Sequence, residues 1–137
     1  MINDSNIHIF PKTYKLDYID SVDQWMPTIQ EVKEVEPIIE NYLDQLMEKP
    51  KNDREKELSS FLKKNKLESY YRQYVGLMNE ERDSIVWIIF ICEKSIKNYP
   101  DWKERISIPR GGGACYFNLK LNIKDKKIES ISINGPK

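Results

Sequence analysis

Chemistry needs side chains that can take a proton, attack a substrate or hold a metal, and this chain offers few in suitable company. Its single histidine, His8, lies in NIHIFPKTYKLDYI, a stretch without clear periodicity. A lone imidazole in such a setting is expected to be a bystander, and any Ser-His or Cys-His relay would have to recruit this same residue. Cys92 and Cys115 are the only cysteines, with no CxxC spacing and no histidine nearby. A structural zinc wants about four clustered ligands, so no metal and no cofactor are expected. Two buried free thiols are the commonest outcome for such a pair. A disulfide is the alternative if the strands that carry them are antiparallel neighbours, and it would imply an oxidising compartment. Carboxylates are plentiful, but those in the helical segments are expected on solvent faces and Glu80, Glu81 and Asp83 in an exposed turn, so no pair is marked out as acid and base.

The stretch RGGGACYFNLKL, from Arg110 to Leu121, raises the question of a phosphate loop. Such loops lead into a helix whose first amides hold the anion, and they commonly carry GK[ST]. Here the glycines lead into alternation, with Cys115, Phe117, Leu119, Leu121 and Ile123 on one side and Tyr116, Asn118, Lys120 and Asn122 on the other. The period of two belongs to a strand. Gly111 to Gly113 are therefore expected to allow a positive φ, a bulge or the close approach of a side chain such as a tryptophan.

Binding is better served than catalysis. Tyr70, Arg72 and Tyr74 share one face of a strand, and Tyr116 shares a face of another with Asn118. An open face would present amphipathic anchors of the kind found at protein interfaces. A covered one would turn the same groups into core-edge residues with satisfied hydrogen bonds. Trp102 and Arg110, near the two ends of a long connection, could close a pocket with Tyr116; alternatively, Trp102 pins a loop to the core. Charge adds a further candidate surface. The net charge is zero, yet from Asp17 to Asp44 eight acids stand against Lys33 alone, while from Glu93 to Lys137 ten Lys and Arg stand against five acids. Either the two halves pack together and cancel, or Glu34, Glu36 and Glu40 belong to an acidic face for a basic partner. Nucleic acid is disfavoured, because no DNA or RNA motif is present and no overall positive charge gathers phosphates.

The elements that must position these groups can be read along the chain. At 137 residues one core is expected, burying roughly two-thirds of the unfolded surface. Residues 1–26 read as an extended arm or edge strand. Thr28 with Glu31 forms a capping box that opens a helix. Ile29, Val32, Val35, Ile39, Leu43 and Leu46 make its apolar stripe, and Pro37 predicts a kink or a break into two abutting helices. Pro50 stops the run, and a shorter helix follows from about 52 to 65, burying Leu58, Phe61 and Leu62. Strands are expected near 69–78, 84–92, 114–123 and 127–134. The second of these, IVWIIFIC from Ile85 to Cys92, is apolar on both faces and belongs in the middle of a sheet. It is far short of the roughly 20 residues of a membrane helix, so no transmembrane segment is expected. The opening MINDSNIHIF has no basic region followed by an apolar run, so no signal peptide is expected. A cytoplasmic location follows, the alternative being the mature part of an exported or lipid-anchored protein.

PT at 27–28, YYRQYVG at 70–76, WK at 102–103, GGGACYFNLKLN at 111–122 and NG at 134–135 together resemble a group of small uncharacterised bacterial proteins, mainly of the Bacteroidetes kind. The resemblance runs from about Pro27 to Gly135 and brings no activity with it. Many of those relatives look exported or lipid-anchored.

The fold expected is α+β, a single domain with helices at 28–65 on a four-stranded antiparallel meander at 69–134, in an order similar to cystatin-like folds. The expected function is a non-enzymatic protein-binding domain, of an immunity or inhibitor type that occludes a partner. The alternatives are a small-molecule binder or modest enzyme with a pocket between helix and sheet near Trp102, Arg110 and Tyr116, and a self-associating accessory domain. The oligomeric state is left open.

Overall fold

In the computed structural model, residues 4–16 and 23–136 are described. Asp17 and Asp20, two of the eight acids counted above, lie outside them. Helix α1 spans Ile29–Glu48 and helix α2 spans Asp53–Lys64. The capping box is formed: Thr28 Oγ1 accepts from the Glu31 amide at 3.1 Å, and Glu31 Oε1 accepts from the Thr28 amide at 2.9 Å. Asn52 caps α2 through one bond, its Oδ1 accepting from the Glu55 amide at 2.9 Å, while Glu55 Oε1 accepts from the Lys51 amide at 3.0 Å.

Of the two outcomes expected at Pro37, a break into two abutting helices is not found. The helix runs unbroken through its 20 residues. Proline forfeits one backbone hydrogen bond, but Val32 and Val35 before it and Ile39, Leu43 and Leu46 after it are all buried in one core. That shared burial holds both halves of the helix against the sheet.

The sheet corrects the sequence reading more substantially. Four of its strands are the expected ones, β3 (Tyr71–Met78), β4 (Ser84–Ile91), β5 (Tyr116–Asn122) and β6 (Lys127–Ile133), paired antiparallel in that order. Two more come from the N-terminal arm, β1 (Ile7–Ile9) and β2 (Gln24–Trp25). Both lie along the outer edge of β3, β1 parallel with Ile7 opposite Arg72, and β2 antiparallel with Trp25 opposite Gly76. The sheet is thus six-stranded and mixed. Strands of two and three residues are too short to show a period, so only their pairing reveals them. Gly76 is required where it stands, because a Cβ there would overlap the Trp25 carbonyl.

Both faces of the central strands β3 and β4 are covered. On one, the apolar stripes of α1 and α2 pack on Tyr70, Tyr74, Val86, Ile88, Phe90, Phe117, Leu119 and Leu121. On the other, Phe10 and Leu16 from the arm cover Val75, Leu77, Ile85, Trp87 and Ile89. That accounts for the uniformly apolar β4, which lies between β3 and β5. The long connection after β4 is ordered against the second face by Gln73. Its amide nitrogen donates to the carbonyls of Trp102 (2.7 Å) and Arg105 (2.6 Å), and its oxygen accepts from the Ser107 amide at 2.9 Å.

The three glycines have φ of +70°, +84° and +67° and enter a single 3-10 turn, Gly113–Cys115, that delivers β5. They do open a strand, and the groups crowding them are the Tyr116 ring over Gly112 and the Glu57 carboxylate against Gly113, rather than a tryptophan. Cys92 and Cys115, at the same end of antiparallel β4 and β5, are joined in a disulfide with Cα atoms 4.9 Å apart. The two free thiols expected as the commonest outcome are therefore not found.

Candidate functional site

A site can be built upward from Arg72. On β3 it alternates with Tyr71 and Gln73, so its long cation is directed with Tyr70 and Tyr74 toward the helices. These three side chains are the most deeply buried polar groups of that face, at 1%, 0% and 0% exposure. The covered alternative holds for them, and they are not surface anchors. A guanidinium there must be matched by a carboxylate, since an unpaired buried charge is too costly.

Glu36 supplies it. It was expected on the solvent face of the helix, and its burial corrects that expectation. At 100° per residue it falls within about 20° of Leu43, inside the apolar arc of α1. Arg72 Nε donates to both Glu36 oxygens at 3.0 Å. Arg72 Nη1 donates to the carbonyls of Leu67 (3.0 Å) and Tyr70 (2.8 Å), and the guanidinium lies 4.9 Å from the Phe90 ring centre. Tyr74 donates its hydroxyl proton to Glu36 Oε2. Burial first, and then the Glu36 carboxylate, push the Tyr74 pKa well above its ordinary value, against the opposing pull of Arg72. Burial likewise raises Tyr70, whose hydroxyl donates to the Ala114 carbonyl at 2.8 Å. Every oxygen of Glu36 is thus occupied, which makes it a poor free base.

Above this cluster opens a cleft of about 690 Å³. One wall is α1, through Lys33, Pro37, Glu40, Asp44 and Met47 at helical spacing beside the core stripe, with Leu43 of that stripe at their border. The other is Leu62 of α2 with Lys66, Leu67 and Glu68, and Asp4 closes one end. Glu36 and Arg72 form the floor. The volume lies within the range of about 300–1,000 Å³ that small-ligand sites occupy. Four carboxylates on the rim (Asp4, Glu40, Asp44, Glu68) outnumber two lysines (Lys33, Lys66), while the floor pair is neutral overall.

The remaining sequence candidates scatter. Glu34 is exposed and accepts from Gln30 at 3.4 Å. It lies about 120° around the helix from Glu40 and does not line the cleft. Trp102 is buried against Tyr71, with ring centres 5.1 Å apart, and so pins its loop. Arg110 is exposed. Tyr116 shares a hydroxyl contact with Ser95 and stands edge-on to Tyr99, whose pKa is pushed up to about 12 by burial and then by Tyr116. None of Trp102, Arg110 and Tyr116 lines this cleft, which lies between α1 and the 62–68 stretch. His8 packs edge-on to Phe10, and burial, reinforced by Lys103, holds its pKa below the ordinary value.

Comparison with protein-family models, curated proteins and solved structures gave no match. The site must therefore be read from its own chemistry. Among the described residues no three His, Cys, Asp or Glu are placed to hold a metal ion, and no helix is long and apolar enough to cross a membrane. Sequence reasoning named Glu36, Glu40 and Arg72 and counted Asp44 in the acidic segment, but it did not single out Asp4, Lys66 and Glu68, which only the docking of the arm and the 62–68 turn brings to one rim with α1. For Glu36 a signal existed: its seven-residue spacing from Leu43 places the two on one face.

Proposed function

We propose that this chain is a non-enzymatic protein-binding domain whose cleft beside α1 receives a basic segment of a partner, in the manner of an immunity or inhibitor-type protein. The observation that carries the reading is the cleft itself, a ligand-sized opening in which Pro37, Leu43, Met47, Leu62 and Leu67 are accompanied by four rim carboxylates against two lysines. Complementary charge at a rim chiefly speeds association and selects partners, while apolar contact inside supplies affinity. Glu36, the one carboxylate at the floor, is engaged by Arg72 and Tyr74, which favours binding over acid-base work there.

The test is calorimetric titration with the blocked peptide Ac-Leu-Lys-Leu-Lys-Leu-NH2 and its glutamate counterpart. The lysine peptide is expected to bind, more weakly as salt is raised from about 0.01 M to 0.15 M, and the glutamate peptide not to bind. Equal behaviour of the two would refute the reading.

A second reading, a small-molecule binder, is favoured by the cleft volume alone. Saturable binding of small cationic amines without any for the peptide would support it. The Cys92–Cys115 bond fits an oxidising compartment, so the exported or lipid-anchored alternative is preferred to the cytoplasm.

A further inference from the structure

The floor of the cleft offers more than a neutral ion pair. Arg72 has five N–H donors. One on Nε goes to Glu36 and two on Nη1 go to the carbonyls of Leu67 and Tyr70. Nη2 has no hydrogen-bond partner among the described residues, although the side chain is 1% exposed. No fully buried side-chain nitrogen or oxygen among those residues lacks a partner, so Nη2 must keep a narrow window onto open space. The open space that Arg72 lines is the cleft. A donor with so little exposure has room for a single acceptor oxygen.

Two facts decide which oxygen. The Glu36 carboxylate is held on Nε of the same guanidinium, and the rim has four carboxylates against two lysines, so a free carboxylate would meet like charge. A neutral amide carbonyl meets none. From Glu36 to Glu40 the helix rises about 6 Å, and Asp44 lies one further turn on. Leu43 and Met47 line the wall along that path. A carbonyl at the floor, an apolar stem along the wall and an ammonium at Glu40 or Asp44 describe one lysine residue, in which five carbons separate the backbone carbonyl from Nζ.

We infer that the cleft is a lysine-recognition site, in which Arg72 Nη2 donates to the backbone carbonyl of a partner's lysine and Glu40 and Asp44 receive its ammonium. This rests on the proposed binding of a basic partner and names the group recognised.

The probes are 6-aminohexanamide, which has the carbonyl, five-carbon stem and ammonium of lysine, and hexylamine, which lacks the carbonyl. Each is titrated into the nitrogen-15 labelled full chain while the backbone amides and the Arg72 guanidinium resonances are followed. The expected result is that 6-aminohexanamide shifts the Arg72 Nη2 protons together with the Glu40 and Asp44 amides, and binds about tenfold more tightly than hexylamine, as one hydrogen bond to a charged donor allows. Equal affinities with the Arg72 signals unmoved would overturn the floor contact while leaving a basic partner at the rim intact. Failure of both amines and of the lysine peptide to perturb the rim would overturn both. Because Arg72→Lys could fail to fold, the guanidinium signals of the native chain carry the test. Glu40→Gln with Asp44→Asn serves as the second variant, expected to weaken both amines alike; undiminished binding would overturn the ammonium contact.

Discussion

Glu36 of α1 and Arg72 of β3 are 36 positions apart in sequence and 3.0 Å apart in space, and with Tyr74 they join the helical layer to the sheet. Breaking a buried pair by removing one member leaves an uncompensated charge, at a cost of about 3–5 kcal/mol. Glu36→Gln is therefore expected to lower unfolding stability in urea by about 3 kcal/mol. The apolar triple variant Glu36→Leu, Arg72→Met, Tyr74→Phe should recover most of that loss. A single substitution that leaves the midpoint unchanged would contradict the buried pairing.

The tyrosines give the protein an alkaline limit. Tyr42, Tyr70, Tyr74 and Tyr99 all have raised pKa values, with burial the leading cause in each. The folded state therefore holds their protons more tightly than the unfolded chain does. By linkage, this contribution is complete below the ordinary tyrosine value near 10 and is lost as pH rises beyond it. Stability measured between pH 9 and pH 12 should fall steeply above about pH 10, and Tyr74→Phe should flatten the fall. A flat profile would mean that these hydroxyls are solvated.

The disulfide should matter thermodynamically. Cys92 and Cys115 close a loop with a separation of 23 residues, and fixing a loop of that size removes unfolded-state entropy corresponding to about 3 kcal/mol. The Cys92→Ser, Cys115→Ser double variant should lose about that much stability. Thiol titration of the native chain should detect no free thiol until a reductant is added. Two titratable thiols in the unreduced protein would exclude the bond.

Much of the architecture was legible in the chain, and the reasons are local. The Thr28–Glu31 box, the stripe from Val32 to Leu46 and the alternation from Cys115 to Ile123 each depend on neighbours within a few residues. Ile85 to Cys92 announced a central strand because no other environment covers both of its faces. What escaped was non-local. β1 and β2 exist only because β3 offers an unpaired edge, and the cleft exists only because Asp4, the 62–68 turn and α1 meet. Arg72 was legible as a residue of the helix-facing row with Tyr70 and Tyr74, but whether that row was open or covered depended on how the helices dock. Glu34, Glu36 and Glu40 looked alike as acids in one segment; their positions around the helix separate a surface residue, a buried partner and a rim residue.

Charge reversal tests the acidic cleft most directly. Lysine-peptide affinity should be measured for the native chain, for Glu40→Lys with Asp44→Lys, and for Glu34→Lys, with circular dichroism confirming the fold of each. Reversal at the rim is expected to weaken binding by more than about tenfold, or about 1.4 kcal/mol, with Glu34→Lys within about twofold of native. If Glu34→Lys weakens binding as much as the rim reversal does, or if neither has any effect, the cleft is not where a basic partner binds.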